Sequence, residues 1–386
     1  GYLMLLSHAF IVDATDRFGW MAGRVLADLG GEVVKLDAPG TDRSRPEWRA
    51  FNVNKRVVDL DPAQPAGRAQ FDELLAKADI CLVTPAGLEP GGPFDPEALH
   101  RRYPRLVVVA ITPFGRAGPR SDWAASDIEM MAAGGAMPVA GEPDGAPVRI
   151  SEPQSYSWAG AQAATGALVA LYRREATGCG DLVDVSVQAC VVSAIAHAPA
   201  FFDILGVEPK RAGAFMTGRS IQGARYRVFW PCMDGWLNFI IYGGIAGRRT
   251  NEQLVAWMRE AGAELGPLAG IDWAKFDPTK ASQAEIDAIE APMMKFFAGV
   301  TKRKFLSEAH KREMLGYPVS TVADIASDPQ LEARAFFAPL AGPDGVVEKY
   351  CGSFAVIDGE RPPLRFVGGA PVEPQMPNSR RTGGRS

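Results

Sequence analysis

Short runs of valine, isoleucine and leucine recur through the first third of the chain, and between them the apolar residues switch to a helical spacing. AFIVDA (9–14), EVVKLD (32–37), RVVDLD (56–61), DICLVT (79–84) and RLVVVAIT (105–112) read as strands. Runs this continuous belong to strands buried on both faces. Between the first two, Phe18, Met21, Ala22, Val25, Leu26 and Leu29 form an i, i+3, i+4, i+7 stripe that Gly30-Gly31 ends. Further helices are expected around 67–77 and 95–102. Strands and helices in alternation imply a parallel sheet covered on both sides, so the fold class is α/β with a Rossmann-like large domain.

Beyond residue 150 the pattern loosens. The Ala- and Leu-rich stretch 157–174 reads as a long buried helix ending at Gly178, followed by a strand at LVDVSV (182–187) and a helix over about 188–203. Glycines 206, 213, 218 and 223 mark a connection and loop. YRVFWP (226–231) and GWLNFIIY (235–242) read as an antiparallel pair around Asp234-Gly235, and helices follow at 249–262 and 283–298. The expected layout is a large domain over 1–205, completed by 330–374 through QLEARAFFAP (329–338), a small α+β domain over 206–329, and a mobile tail over 375–386.

Composition narrows the function. A net charge of −4 leaves no basic surplus for nucleic acid. Cys81, Cys179, Cys190, Cys232 and Cys351 are scattered, with no CxxC pair and no histidine at ligand spacing, so no metal is expected and a cytoplasmic, reducing setting is. Apolar runs are too short for a membrane span, and the first residues lead into a strand without a basic leader.

No P-loop, HExxH, GxSxG or full GxGxxG is present. Three features remain. Asp16-Arg17-Phe18-Gly19-Trp20 is a strand-to-helix turn, either a phosphate cradle or a plain βα turn. Arg43, Arg45, Arg49, Lys55 and Arg56, interleaved with Trp48 and Phe51, are either a nucleotide contact or a solvated loop. Asp127 follows Ser126 at a helix entry, where a carboxylate either complements the helix dipole or faces a cleft. No dense set of arginines marks a site for a dicarboxylic acid.

GRVLADLGGEVVKLDAPGTDRSR (23–45), NVNKRVVDLD (52–61), YPRLVVVAITPFGRAGP (103–119), SDIEMMAAGGAMPVAGEPDGAPVR (126–149), GALVALYRREATGCGDLVDVSV (166–187) and DPQLEARAFF (328–337) are, block by block and in order, similar to the family III CoA-transferases, also called the CaiB/BaiF family. The resemblance runs from about residue 9 to about 370. It implies a CoA-transferase that moves CoA from an acyl-CoA donor to a carboxylic-acid acceptor, with Asp127 as covalent nucleophile. CoA would lie along the large domain, at Phe18, Gly19, Arg45, Lys55 and Arg56. A glycine-bearing loop (212–223) with Gly218 and Gly223 would cover the active site. The resemblance also implies an interlocked homodimer.

Three departures keep other readings open. The turn Phe18-Gly19-Trp20 keeps only the glycine of the family's Ala-Gly-Pro turn. VTPAGLEPGG (83–92) stands where the family has a block with a CoA-contacting arginine, and VEPQMPNSRR replaces its C-terminal motif. The alternative is a non-catalytic subunit of a heteromeric transferase. An α-methylacyl-CoA racemase would need a histidine where Ser126 stands and an acid near Ser155, and neither is present.

Overall fold

Strand β1 (Phe10–Ala14) sits inside a six-stranded sheet and alternates its side chains between two cores. Ile11 faces one side, Phe10 and Val12 the other, and all three are buried. The structure, a computed structural model, describes residues 4–342 and 344–368. Its elements continue with α1 (Trp20–Asp28), β2 (Glu32–Asp37), α2 (Pro46–Phe51), β3 (Lys55–Asp59), α3 (Pro65–Leu75), β4 (Ile80–Val83), α4 (Pro96–Arg102) and β5 (Val107–Thr112). Then come α5 (Asp127–Ala133), α6 (Ser155–Thr177), β6 (Leu182–Ser186), α7 (Val187–Ala194) and α8 (His197–Leu205).

The sheet order is β3-β2-β1-β4-β5-β6, and every pairing is parallel. This is the doubly wound order, which opens a crevice at the carboxyl ends of β1 and β4 where the winding reverses. Helices α1 and α6 cover one face. There Ala22 and Leu26 meet Ala159, Ala163 and Ala167 over Ile11, Val33 and Val109. On the other face Phe71, Leu74 and Leu75 of α3 and Leu99 of α4 pack on Val12, Val34 and Val108.

The alanine richness of α6 has a local reason. A Cβ on Gly160 would come within 2.5 Å of the Met21 Cβ and 2.9 Å of the Ala22 nitrogen. Small side chains let the two helices approach almost backbone to backbone. Near its other end, Arg174 is buried and donates to Asp79 (2.8 Å) and to the Arg105 carbonyl. Asp79 in turn accepts the Phe10 N–H (2.9 Å), so one ion pair ties α6 to the entry of β1.

The second unit is built from β7 (Phe215–Met216), β8 (Tyr226–Arg227), β9 (Phe229–Cys232), β10 (Gly235–Asn238), α9 (Gly244–Glu260), α10 (Gln283–Ala298), α11 (Lys302–Arg312), β11 (Tyr317–Pro318) and α12 (Val322–Ala326). Its own core gathers Trp230, Phe239, Leu254, Met258, Met293, Phe297 and Phe305. α13 (Pro329–Ala333) and the hairpin of β12 (Phe337–Ala341) and β13 (Val347–Cys351) belong to the first unit again.

The compact units are 1–137, 149–208 and 329–386 on one side, and 138–148 with 209–328 on the other. The sequence layout counted 138–148 with the large domain. Here Arg211 donates to the carbonyls of Glu142 (3.1 Å) and Gly145 (2.7 Å), and Gly213 donates to Gly141 (2.9 Å), so the segment packs with the small unit. The expected helix over 188–203 breaks at Ile195-Ala196, and α7 and α8 meet at 71°. Among the described residues no single helix is long and apolar enough to cross a membrane. The tail at 375–386 lies outside the described residues.

Removing one partner of the Arg174–Asp79 pair strands a buried charge. Arg174→Ala is expected to lose about 3–5 kcal/mol in urea denaturation, against under about 1 kcal/mol for breaking the exposed Arg248–Glu252 pair.

Candidate active site

Ser126 has extended backbone and caps α5. The Glu129 carboxylate reaches back to the Ser126 N–H (2.8 Å), closing a capping box that holds Glu129 below its ordinary pKa. This box fixes Asp127 at the first helical position, where its carboxyl is turned toward the start of α6. Oδ1 accepts three hydrogen bonds: from the N–H of Gln154 (3.0 Å), the N–H of Ser155 (2.9 Å) and the Ser155 hydroxyl (2.7 Å). Asp127 thus closes the N-terminus of a 23-residue helix, whose free N–H groups and dipole favour an anion. Oδ2 has no hydrogen-bond partner among the described residues and still reaches solvent, although Asp127 as a whole is buried.

The Asp127 N–H donates to the phenol of Tyr156 (2.9 Å). Burial raises the pKa of that phenol. Its ring meets Phe18 edge-on, with centroids 4.8 Å apart, and Phe18 is buried in the core beside α1. The β1–α1 turn and the α5–α6 junction are therefore joined through one aromatic pair. Tyr156 also lines a cleft of about 240 Å³ with Arg17, Trp20, Glu47, Phe51 and Gln154. A second cleft of about 580 Å³ shares Met21 and Phe51 with the first and adds Val25, Pro46, Phe336 and Phe354. Asp127 lines neither cleft but is hydrogen-bonded to Gln154 and Tyr156, which line the first.

Gly19 stands at the N-cap of α1 with ordinary backbone angles. Its glycine character comes from packing, since a Cβ would come within 2.4 Å of the Thr15 methyl. The turn is filled by its own groups: Asp13 accepts from the Thr15 N–H and hydroxyl, and Asp16 accepts from the Phe18 N–H.

The expected cationic contacts do not form one surface. Lys55 is fully buried. Its three ammonium donors go to Asp13 (2.8 Å), the Trp20 carbonyl (2.8 Å) and Asn52 (2.9 Å), which leaves no donor for a phosphate. Burial pushes Lys55 down to about 8, with Asp13 pulling it back up. Its expected role as a CoA contact is therefore corrected to an internal ion pair. The strand period explains this: in β3, Lys55 points inward while Arg56 points outward, 3.6 Å from Glu32. Arg45 is exposed at the N-cap of α2, 3.9 Å from Glu47. Arg43 lies over Trp48 but spends its guanidinium on Asp37 and Asp59.

Gly218 and Gly223 belong to the second unit, in the loop between β7 and β8. Both have φ of +78°, a left-handed conformation that glycine takes without strain, and no atom lies near the place of a Cβ.

Comparison with known proteins agrees with this architecture. Residues 9–371 match the model of CoA-transferase family III. The chain belongs to that family. It is 29% identical over 347 residues to the succinyl-CoA:(R)-benzylsuccinate CoA-transferase subunit BbsE of Thauera aromatica, covering 85% of this chain and 82% of that one. It is 27% identical to the succinyl-CoA–D-citramalate CoA-transferase of Chloroflexus aurantiacus, over 84% of this chain and 81% of that one. A CaiB/BaiF family protein from Brucella suis has the same fold, with a TM-score of 0.76 at 24% identity over 93% of this chain and 94% of its own.

The bonds to Oδ1 predict a graded response. Asp127→Ala is expected to cost about 1–3 kcal/mol, because it uncovers the start of α6, and Asp127→Asn less, because an amide oxygen still accepts. Lys55→Met, which leaves buried Asp13 without its ion-pair partner, is expected to cost about 3–5 kcal/mol. Thermal and urea melts of the three variants check the order.

Proposed function

We propose that this chain transfers CoA from an acyl-CoA thioester to a free carboxylic acid through covalent steps on Asp127. One observation carries the reading: Oδ1 is held by three donors while Oδ2 is open. Oδ2 attacks the thioester carbonyl and expels CoA thiolate, leaving a mixed anhydride. The thiolate then attacks the aspartyl carbon and displaces the donor acid, giving an aspartyl–CoA thioester. The acceptor carboxylate attacks that carbon, releases the thiolate and forms a second anhydride. Finally the thiolate takes the acceptor acyl group, and Asp127 returns as a carboxylate.

The donors around Oδ1 fit this sequence. Whenever the aspartyl carbon is attacked, negative charge develops on Oδ1. The N–H groups of Gln154 and Ser155 and the Ser155 hydroxyl already stand at 2.7–3.0 Å from it. They would serve as a preformed oxyanion hole. CoA itself would lie on the first unit, along the two joined clefts, with Phe18, Gly19, Arg45 and Arg56 near its path. Both relatives carry succinyl-CoA in their names, which favours a short dicarboxylic donor.

A second reading is favoured by two observations. Asp127 lines neither cleft and already has a structural task at α6, and the Thauera relative is named as a subunit. In that reading the chain supports a partner that carries the covalent step. Incubation with acyl-CoA thioesters, a hydroxylamine quench and mass spectrometry of the Asp127 peptide separate the two. A thioester-dependent hydroxamate, absent in Asp127→Ala, supports the covalent role. No adduct and no CoA binding supports the subunit, and CoA binding without an adduct points to a donor outside those tried or to proton transfer instead of acyl transfer.

The first unit also leaves apolar side chains in water, among them Tyr172 on α6 and Phe201, Phe202, Ile204 and Leu205 on α8. A second chain, identical or homologous, would cover them. Sedimentation is expected to give at least twice the chain mass of 41.4 kDa, and a single-chain mass would overturn the dimer.

A further inference from the structure

The larger of the two joined clefts, of about 580 Å³, has three walls, all in the first unit. Met21 and Val25 come from α1, Pro46 and Phe51 from α2, and Phe336 and Phe354 flank the β12–β13 hairpin. One buried side chain braces the walls. The Arg24 Nε donates to both carboxylate oxygens of Asp28 (2.9 and 2.8 Å). Its other two nitrogens donate to the carbonyls of Ala50 in α2 and Cys351 in β13. Arg49 and Glu348 tie α2 to β13 again (2.9 Å). Phe336 is held as well: its carbonyl accepts the Gly352 N–H (2.7 Å), and the Arg361 guanidinium lies 5.3 Å from the centre of its ring.

The same bonds decide what the cleft can hold. Each charge that braces it is already answered, Arg24 by Asp28 and Arg49 by Glu348. Asp28 accepts a further bond from Asn54 (2.9 Å). Neither guanidinium is left free for a phosphate or for a second carboxylate. Among the described residues, exposed Lys349 is the one charged lining residue without an ion pair. The rest of the surface is apolar and includes three phenylalanine rings, of which Phe354 is 66% exposed. Such surface gains from being covered, and rings around a slot take another ring edge-on or offset. A cavity of about 150 Å³ is enough for benzene, so this one has room for a ring and the carbons that carry it.

We infer that one of the two acids exchanged bears an aromatic ring, and that the ring lodges in this larger cleft. This rests on the reading of the chain as a CoA-transferase, and it divides the joined clefts between the parts of the substrate. Met21 and Phe51 line both clefts, so the path from one to the other stays within the first unit. The ring fills the larger cleft, a short stem passes Met21 and Phe51, and the carboxyl enters the smaller one. There Gln154 and Tyr156 carry the hydrogen bonds to Asp127. Affinity for the acid comes from the ring, and the carboxyl is left free to react.

The test uses a thiol as reporter and no thioester. Cys351 lines the larger cleft and is exposed; Cys179, also exposed, lies just past α6 and lines neither cleft. The full chain is alkylated with iodoacetamide beside 3-phenylpropionate, propionate or succinate, and both cysteines are followed by peptide mass spectrometry. 3-Phenylpropionate is expected to slow Cys351 and not Cys179, at a concentration about tenfold or more below that at which propionate acts. Phe354→Ala is expected to weaken this protection about threefold or more. Ala50→Phe, which fills the cleft from an exposed position on α2, is expected to abolish it. Circular dichroism confirms folding, and either variant suffices if the other unfolds.

Absence of protection by 3-phenylpropionate, equal protection by propionate or succinate, or unchanged protection in the folded variants overturns the proposal. Protection that Lys349→Gln removes also overturns it, because the cleft would then hold a carboxylate and not a ring. So does a Cys351 that fails to react with no acid present, since a second chain would then cover the cleft. Failure here leaves the Asp127 trapping experiment untouched, and failed trapping leaves the preference of the cleft standing.

Discussion

Gly160 of α6 lies against the backbone of Met21 and Ala22 in α1, and the first unit is arranged around that approach. Only with the helices this close does Phe18, at the entrance of α1, reach Tyr156, at the entrance of α6. Tyr156 then meets the Asp127 N–H, and the Asp127 carboxyl meets the next turn of backbone at Gln154 and Ser155. A larger residue at 160 would push the two helices apart and loosen each of these contacts in turn. The candidate nucleophile is thus positioned by helix packing as much as by its own cap.

Two buried lysines of this unit have every ammonium donor taken. Lys55 gives all three donors to Asp13, Asn52 and Trp20, and Lys35, equally buried, pairs with Asp37 (3.1 Å) and the Thr15 carbonyl (2.6 Å). Both lysines sit beside the β1–α1 turn. Such pairs add little net stability, but each is costly to break, so they specify one arrangement of the turn. That turn lies at the crevice where the winding of the sheet reverses.

The sheet was legible because its strands are continuous valine, isoleucine and leucine runs, and a doubly wound sheet has no other use for them. α1 was legible from its stripe and Gly30. Less visible was whatever depends on partners distant in sequence. Lys55 and Arg56 look alike in a list of cations, and only the strand period sends one inward and the other outward. Asp127 kept two meanings because its bonds come from residues 27 and 28 positions later. Tyr156 carried no signal in the sequence, because nothing local marks the Asp127 N–H as its partner.

The path of the chain between its units has a consequence for how the protein can be taken apart. The polypeptide passes from one unit to the other at 137–138, 148–149, 208–209 and 328–329. Neither unit is a contiguous stretch, so no single truncation yields either of them intact. A protease that nicks one connector leaves the halves joined through the others. The eleven residues at 138–148 belong to a unit whose remaining chain begins only at 209, so the small unit cannot close before much of the large one has been made. Assembly of the two is a shared event, and a swap of the small unit between homologues would have to carry both segments together.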